Sequence, residues 1–164
     1  MKIFVKIIIN VFLIFSISLH VNAAIVKSIN IEGNSRVSDE TIKVYGDINL
    51  NENINEIKLN KILNNLYSTN FFEDVKVSIK DGVLEIIVDE YPVVNQLIIT
   101  GEPSSRLKEE IKKQIFTKVK RSFIKSSLSK DIDLIKNLYS SIGYNFANIE
   151  VKTKEIDTKN FDVL

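Results

Sequence analysis

The chain has 164 residues, with no Cys, no Trp and a single His, and its 22 Lys and Arg nearly balance its 21 Asp and Glu. Without Cys there can be no disulfide bridge, thiol nucleophile or thiolate metal site. A charge balance this close excludes a protein whose whole surface is built to bind nucleic acid, so an electrostatic partner would need a local patch.

The first 23 residues have the pattern of a signal peptide. Lys2 and Lys6 form a positive start, and Ile7–Leu19 is an apolar run. Small residues then precede a predicted cleavage between Ala23 and Ala24. The alternative is a membrane anchor, but a spanning helix needs about 20 apolar residues, and this run is shorter and interrupted by polar side chains. Both interpretations imply export.

An internal repeat divides the rest of the chain. The segment Ile29–Gly33 recurs 68 residues later as Leu97–Gly101, and Leu66–Phe72 recurs 72 residues later as Leu138–Tyr144. Repetition in the same order predicts two copies of one structural unit, with a few residues inserted in the loops of the second. We therefore predict two modules, 24–91 and 92–164.

The elements of the first module can be predicted in chain order. A strand at 25–32 is followed by a helix from the N-cap Ser38 to about Gly46. A second helix follows, with an apolar stripe at helical spacing, and then two alternating strands around the turn Asp81-Gly82. The stripe comprises Leu59, Ile62, Leu63, Leu66 and Tyr67. This βααββ order predicts an α+β fold with two helices packed on one face of a three-stranded mixed sheet.

The second module repeats this order from Val93. Helices are predicted at Ser105–Phe116 and Ser126–Tyr139, and a strand at Asn148–Ile156. The third strand has only begun, at Phe161–Leu164, when the sequence stops, so we expect this module to be incomplete at its C-terminus. Tyr91-Pro92 joins the modules, and because Pro restricts its own backbone and that of its neighbour, the joint is expected to be stiff.

These features together resemble the POTRA family. The resemblance rests on the repeated βααββ unit, on Phe-Phe-Glu-Asp-Val at 71–75 before the hairpin, and on Asp-Glu-Tyr-Pro-Val at 89–93 at the module exit. The chain looks most like the first two POTRA domains of outer-membrane assembly factors. The family's assembly factors have five modules and a β-barrel, so the chain is interpreted as a fragment that lacks the barrel or as the product of a broken or split gene.

The resemblance implies a function in the periplasm, next to the outer membrane. Such domains receive unfolded outer-membrane proteins, dock assembly lipoproteins and serve protein insertion into the membrane. Two alternatives share the module: a division protein and the arm of a secretion transporter anchored in the envelope. A division protein usually carries one module, so the repeat disfavours it.

The second strand of each module is predicted to lie at an open sheet edge. An exposed edge can bind an extended peptide by adding it as a further strand, a process called β-augmentation. The residues expected on these edges are Val75, Val77, Ile79, Ile149 and Val151. The alternative is a passive edge, because edge lysines such as Lys76 and Lys80 commonly prevent pairing.

A basic run in the second module is the other candidate site. It comprises Lys112, Lys113, Lys118, Lys120 and Arg121. Such a run is usually a solvated face, but it could also contact anionic lipid headgroups or an acidic partner. Nucleic acid is not expected as a partner, because an exported protein seldom meets any.

No catalytic constellation is visible in the sequence. Residues 24–164 contain no His and no Cys, and there is no phosphate-binding or dinucleotide-binding motif. The adjacent acids Glu73-Asp74 and Asp89-Glu90 lie on predicted strands, where neighbours point to opposite faces, so we interpret them as surface charge. The chain is therefore predicted to be neither an enzyme nor a cofactor-binding or metal-binding protein. A small carboxylate enzyme, the remaining alternative, would need two converging acids.

Overall fold

The computed structural model describes residues 24–164. The predicted signal peptide, with Ala23 on one side of its cleavage site, lies outside the described residues, and Ala24 is the first described residue. Two α+β units follow each other along the chain, as the repeat predicts. None of the helices of this part of the chain is long and apolar enough to cross a membrane.

The first unit has the predicted order of elements, with one small addition. This addition is a two-stranded antiparallel ribbon, formed by β1 (Ala24–Ile25) and β3 (Asn53–Ile54). The elements are β1 (Ala24–Ile25), β2 (Ser28–Glu32), α1 (Asp39–Gly46), β3 (Asn53–Ile54), α2 (Glu56–Ser68), β4 (Phe72–Lys80) and β5 (Val83–Glu90).

Local chemistry sets the boundaries of these elements. The Ser38 hydroxyl accepts a hydrogen bond from the Thr41 N–H at 3.3 Å and so caps α1, and Asn55 caps α2 through the Lys58 N–H at 2.9 Å. Between β4 and β5, Asp81 and Gly82 have φ angles of 53° and 85°. Positive φ at both turn residues is the signature of the type I′ hairpin that the sequence predicts.

The main sheet of the first unit has the order β2-β5-β4, with β2 parallel and β4 antiparallel to the central β5. The side chains of both helices and of the ribbon pack against one face of this sheet in a continuous core. The buried members are Val26, Val37, Ile42, Ile48, Ile54, Ile62, Leu66, Phe72, Val75, Leu84, Ile86 and Val88. The predicted fold class is confirmed, and the strand before the Asp81-Gly82 turn lies at a sheet edge as expected.

The second unit repeats the order with a smaller sheet. Its elements are β6 (Val93–Leu97), α3 (Ser105–Gln114), α4 (Lys125–Ser141), β7 (Thr153–Asp157) and β8 (Asn160–Val163). The sheet order is β6-β8-β7, so β8, the strand expected only to have begun, is paired on both sides. Its core is built around Val94, Phe123 and Val163.

The predicted strand at Asn148–Ile156 is wrong in its first half. The backbone pairing of β7 with β8 extends back only to Lys152, whose N–H and C=O exchange hydrogen bonds of 2.7 and 2.8 Å with Leu164. Residues 148–151 lie outside β7, which runs from Thr153 to Asp157. Ile149 and Val151 therefore do not lie on a strand, and they line a cavity of about 150 Å³ beneath α3 and α4.

Both residues of the linker between the units, Tyr91 and Pro92, form backbone hydrogen bonds. The Tyr91 N–H donates to the Phe71 carbonyl at 3.0 Å on one side, and the Pro92 carbonyl accepts from the Phe123 N–H at 2.6 Å on the other. The Lys159 ammonium also reaches across to the Ser35 hydroxyl at 2.9 Å. These bonds tie both residues of the linker to folded structure.

Candidate functional site

The open edge of the first sheet is formed by β4. This strand pairs with β5 from Phe72 to Lys80, and no strand of residues 24–164 pairs with its other side. At nine residues it is the longest strand in the described part of the chain. An edge of this length presents a row of backbone groups that a further strand could use.

The hairpin turn determines which backbone groups face outward. In a two-residue hairpin the residues that flank the turn, here Lys80 and Val83, form a hydrogen-bonded pair. Backbone direction alternates along a strand, so the N–H and C=O of Ile79 and Val77 point away from β5. The Val75 N–H has the same direction and donates to the Tyr67 hydroxyl at 3.2 Å instead of to β5. Val77 and Ile79 thus provide the outward-facing groups.

Tyr67 covers the beginning of this edge. Its hydroxyl accepts from the Val75 N–H and donates to a carboxylate oxygen of Asp74 at 3.0 Å. The hydrogen bond from Tyr67 is the main cause that holds the pKa of Asp74 below its ordinary value. Burial raises this pKa, and the Lys76 ammonium, 3.5 Å away, lowers it. The first outward-facing N–H that Tyr67 does not occupy is therefore that of Val77.

Replacing Tyr67 with Phe is expected to raise the pKa of Asp74 toward its ordinary range, because the hydrogen bond to the charged carboxylate disappears. The same change leaves the Val75 N–H without its partner. The measurement is an NMR pH titration of the Asp74 carboxyl carbon. Tyr45→Phe is the control, since Tyr45 is exposed and contacts the Phe71 ring. An unchanged pKa in Tyr67→Phe would contradict this account.

The side chains of the edge residues point into the protein, not toward a ligand. Val75 is buried, and Val77 and Ile79 are half-buried against the core of the first unit. The opposite face of β4 carries the exposed Lys76 and Lys80. Since the apolar side chains are engaged, binding at this edge would depend on backbone hydrogen bonds, which are indifferent to the partner's sequence.

The corresponding edge of the second unit is β7. All five of its residues, Thr153–Asp157, are exposed. Ile149 and Val151, which the sequence suggests for this edge, precede it and are half-buried. The exposed stretch that a partner could reach thus lies closer to the turn at 158–159 than the repeat indicates.

The predicted basic patch is divided by the structure. Lys112 pairs with Glu109 at 3.0 Å. The Lys118 ammonium donates to the carbonyls of Lys112 and, at 3.0 Å, of Lys113, and so closes the C-terminus of α3. Lys120 and Arg121 lie elsewhere, in a turn whose backbone is hydrogen-bonded to Val94 of β6.

Glu90 has a structural role that the sequence analysis missed. Its carboxylate accepts hydrogen bonds from the N–H groups of Ser35 at 3.0 Å, Arg36 at 3.0 Å and Val37 at 2.8 Å, and its side chain is only 9% exposed. The interpretation of Asp89-Glu90 as surface charge is wrong for Glu90. The signal in the sequence is the loop Gly33–Ser38 just before α1, because backbone N–H groups that precede a helix favour a bound anion such as the Glu90 carboxylate.

Comparison with known families identifies the repeated unit. The family model for POTRA, described as a surface antigen variable number repeat, matches residues 24–91 and again 92–164. The chain belongs to the POTRA family. The two matches cover every residue that the structure describes, so the resemblance inferred from the sequence is confirmed.

Two relatives are similar in sequence, and both are outer membrane protein assembly factors named BamA. The protein from Neisseria meningitidis is 34% identical over 76 residues, which cover 46% of this chain and 10% of the relative. The protein from Neorickettsia risticii is 25% identical over 138 residues, which cover 84% of this chain and 19% of the relative. The matched regions thus amount to a small part of either relative.

A solved structure supports the same fold. The N-terminal domain of Omp85 from the cyanobacterium Thermosynechococcus elongatus aligns with a TM-score of 0.57 at 15% identity, covering 86% of this chain and 61% of that one. At this level of identity the likeness concerns the fold alone. It agrees with two tandem POTRA units.

Proposed function

We propose that this chain is a periplasmic scaffold in outer-membrane protein assembly, which holds unfolded clients by pairing with the open edge of β4. The likeness to two assembly factors supports the process. The signal-peptide pattern at residues 1–23 supports export to the periplasm. In this role the chain works by binding and needs no catalytic group or cofactor, and assembly lipoproteins are its expected partners beside the clients.

The observation that carries the proposal is the pair of outward-facing backbone units at Val77 and Ile79 on a strand with one free side. A client that will become a β-barrel arrives with unpaired strand backbone. Many different sequences share only that backbone, so a receptor for all of them is best served by a sheet edge. The exposed Lys76 and Lys80 would keep such an edge from pairing with a second copy of itself, since like charges would meet.

The test is the variant Val77→Pro. Proline removes the outward N–H of residue 77 and leaves the bonds of Lys76 and Ser78 to β5 in place, which is the position where an edge strand tolerates proline. Affinity for a synthetic peptide that copies one strand of an outer-membrane protein is expected to fall about tenfold, through a lost hydrogen bond and a steric block. Fluorescence anisotropy of the labelled peptide measures this change.

Val77→Ala is the matched control, because it loses apolar contact but keeps the N–H. It should bind within about twofold of the unchanged protein. Circular dichroism checks that each variant is folded, and Ile79→Pro serves as a second variant if Val77→Pro is not. Equal affinity of the proline variants and the unchanged protein would overturn the proposal.

A further inference from the structure

A cleft of about 570 Å³ lies where the two POTRA units meet. One wall comes from the first unit, with Arg36 and Phe71, and the other from the segment between α3 and α4 and from the first turns of α4. The lining side chains of the cleft are basic, polar or apolar, and none of them is Asp or Glu. The concave shape and its composition distinguish it from the flat edge of β4.

Four cationic side chains line this cleft: Arg36, Lys120, Arg121 and Lys130. Arg36 lies 3.7 Å from a Glu90 oxygen and is partly neutralised. The other three form no ion pair with any residue of 24–164. Like charges that share one concavity repel each other, and a bound anion would relieve that repulsion.

Two of these cations, Lys120 and Arg121, lie on a turn whose backbone is hydrogen-bonded to β6. Lys120 has a φ angle of 65°, a left-handed conformation that is costly for a residue other than glycine. Its N–H donates to the Val94 carbonyl at 2.8 Å, and the Val94 N–H donates to the Arg121 carbonyl at 2.9 Å. Lys120 and Arg121 are thus held against β6, directly after the linker, so the strained turn presents them at the joint.

We propose that this cleft binds an acidic segment of a partner polypeptide, in which carboxylates flank an apolar side chain. The four cations would take the carboxylates. Phe116 is 61% exposed and lines the cleft with Phe71, which provides an apolar surface for the residue between them. A membrane surface is flat and would reach the rim of such a concavity but not its walls. This site is separate from β4 and does not depend on client binding there.

The test compares two labelled peptides, Glu-Asp-Phe-Asp-Glu and its amide counterpart Gln-Asn-Phe-Asn-Gln, by fluorescence anisotropy. The acidic peptide is expected to bind more tightly, with an affinity that falls as salt is added. The double variant Lys120→Gln with Arg121→Gln should weaken it about tenfold, since two charge contacts are lost. Lys130→Gln, which changes an exposed residue of α4, serves as a second variant.

The control is Lys112→Gln with Lys113→Gln, which removes the same two charges from α3, outside the cleft. It should bind the acidic peptide within about twofold of the unchanged protein. An equal loss in both double variants would mean attraction by net charge and would overturn the proposal. So would cleft-dependent binding to vesicles of phosphatidylcholine and phosphatidylglycerol without binding of the peptide, or full competition by millimolar inorganic phosphate.

Discussion

Replacing Glu90 with alanine is expected to lower the free energy of unfolding of the first POTRA unit by about 2 kcal/mol. The carboxylate accepts from three consecutive amides, those of Ser35, Arg36 and Val37, across 53 to 55 residues of sequence. Alanine would leave these donors without their acceptor and would also release the loop that leads into α1. Urea denaturation followed by circular dichroism measures the change.

Asp89→Ala is the matched control for Glu90→Ala. Asp89 is the preceding residue of β5 and its side chain is exposed, so its removal should change stability by less than about 0.5 kcal/mol. If Glu90→Ala were as stable as Asp89→Ala, the hydrogen bonds of Glu90 would contribute nothing and the proposed role of the loop would be wrong.

The contribution of Glu90 should also depend on pH. Burial, the largest single influence, raises its pKa, but the amides of Val37, Ser35 and Arg36 together with the Arg36 charge outweigh it and hold the pKa below its ordinary value. A carboxyl group with a lowered pKa in the folded state stabilises the protein above its unfolded-state pKa. That stabilisation is lost as the pH falls through the folded-state pKa. The stability difference between the unchanged protein and Glu90→Gln should therefore shrink as the pH falls below 4.5, the ordinary pKa of a Glu carboxyl group.

Replacing Asp131 with alanine is expected to destabilise the second unit by about 2 to 3 kcal/mol. Asp131 lies on α4, is only 4% exposed, and accepts from the N–H groups of Phe116 at 2.6 Å and Thr117 at 2.9 Å. It thereby joins α4 to the segment that follows α3. Without the carboxylate, two amides would lose their acceptor in the unit with the smaller core.

Amide hydrogen exchange at Phe116 and Thr117 measures this effect, and faster exchange is expected in Asp131→Ala. Asp133→Ala is the control, because Asp133 lies two residues further along the same helix and is exposed. Unchanged exchange at both amides in Asp131→Ala would show that the hydrogen bonds do not hold the two segments together.

The elements of the first unit could be predicted because their signals are local. The apolar stripe of α2 and the turn Asp81-Gly82 each involve a few neighbouring residues, and both appear where the sequence indicates. The pairing of β4 with β5 follows from the hairpin, and the predicted edge position of β4 agrees with the observed order β2-β5-β4. The open side of β4 follows from that order.

The predictions for the edge strand of the second unit, for Glu90 and for the basic run were wrong because contacts between residues far apart in the sequence determine these features. Ile149 and Val151 are predicted on the edge strand, yet the second hairpin turns at 158–159 and strand pairing ends at Lys152. Glu90 is engaged by a loop more than 50 residues away. The basic run is contiguous in sequence, but Lys118 turns back onto α3 while Lys120 faces the joint. None of these contacts can be inferred from the spacing of residues along the sequence.

The most direct measurement is a residue-resolved NMR titration of the protein with a peptide that copies one strand of an outer-membrane protein. Pairing at β4 predicts that the amides of Val77 and Ile79 shift and become protected from exchange, while those of Lys76 and Ser78, already bonded to β5, stay protected throughout. Binding that leaves the Val77 and Ile79 amides unchanged, or that shifts residues of another surface instead, would contradict the account.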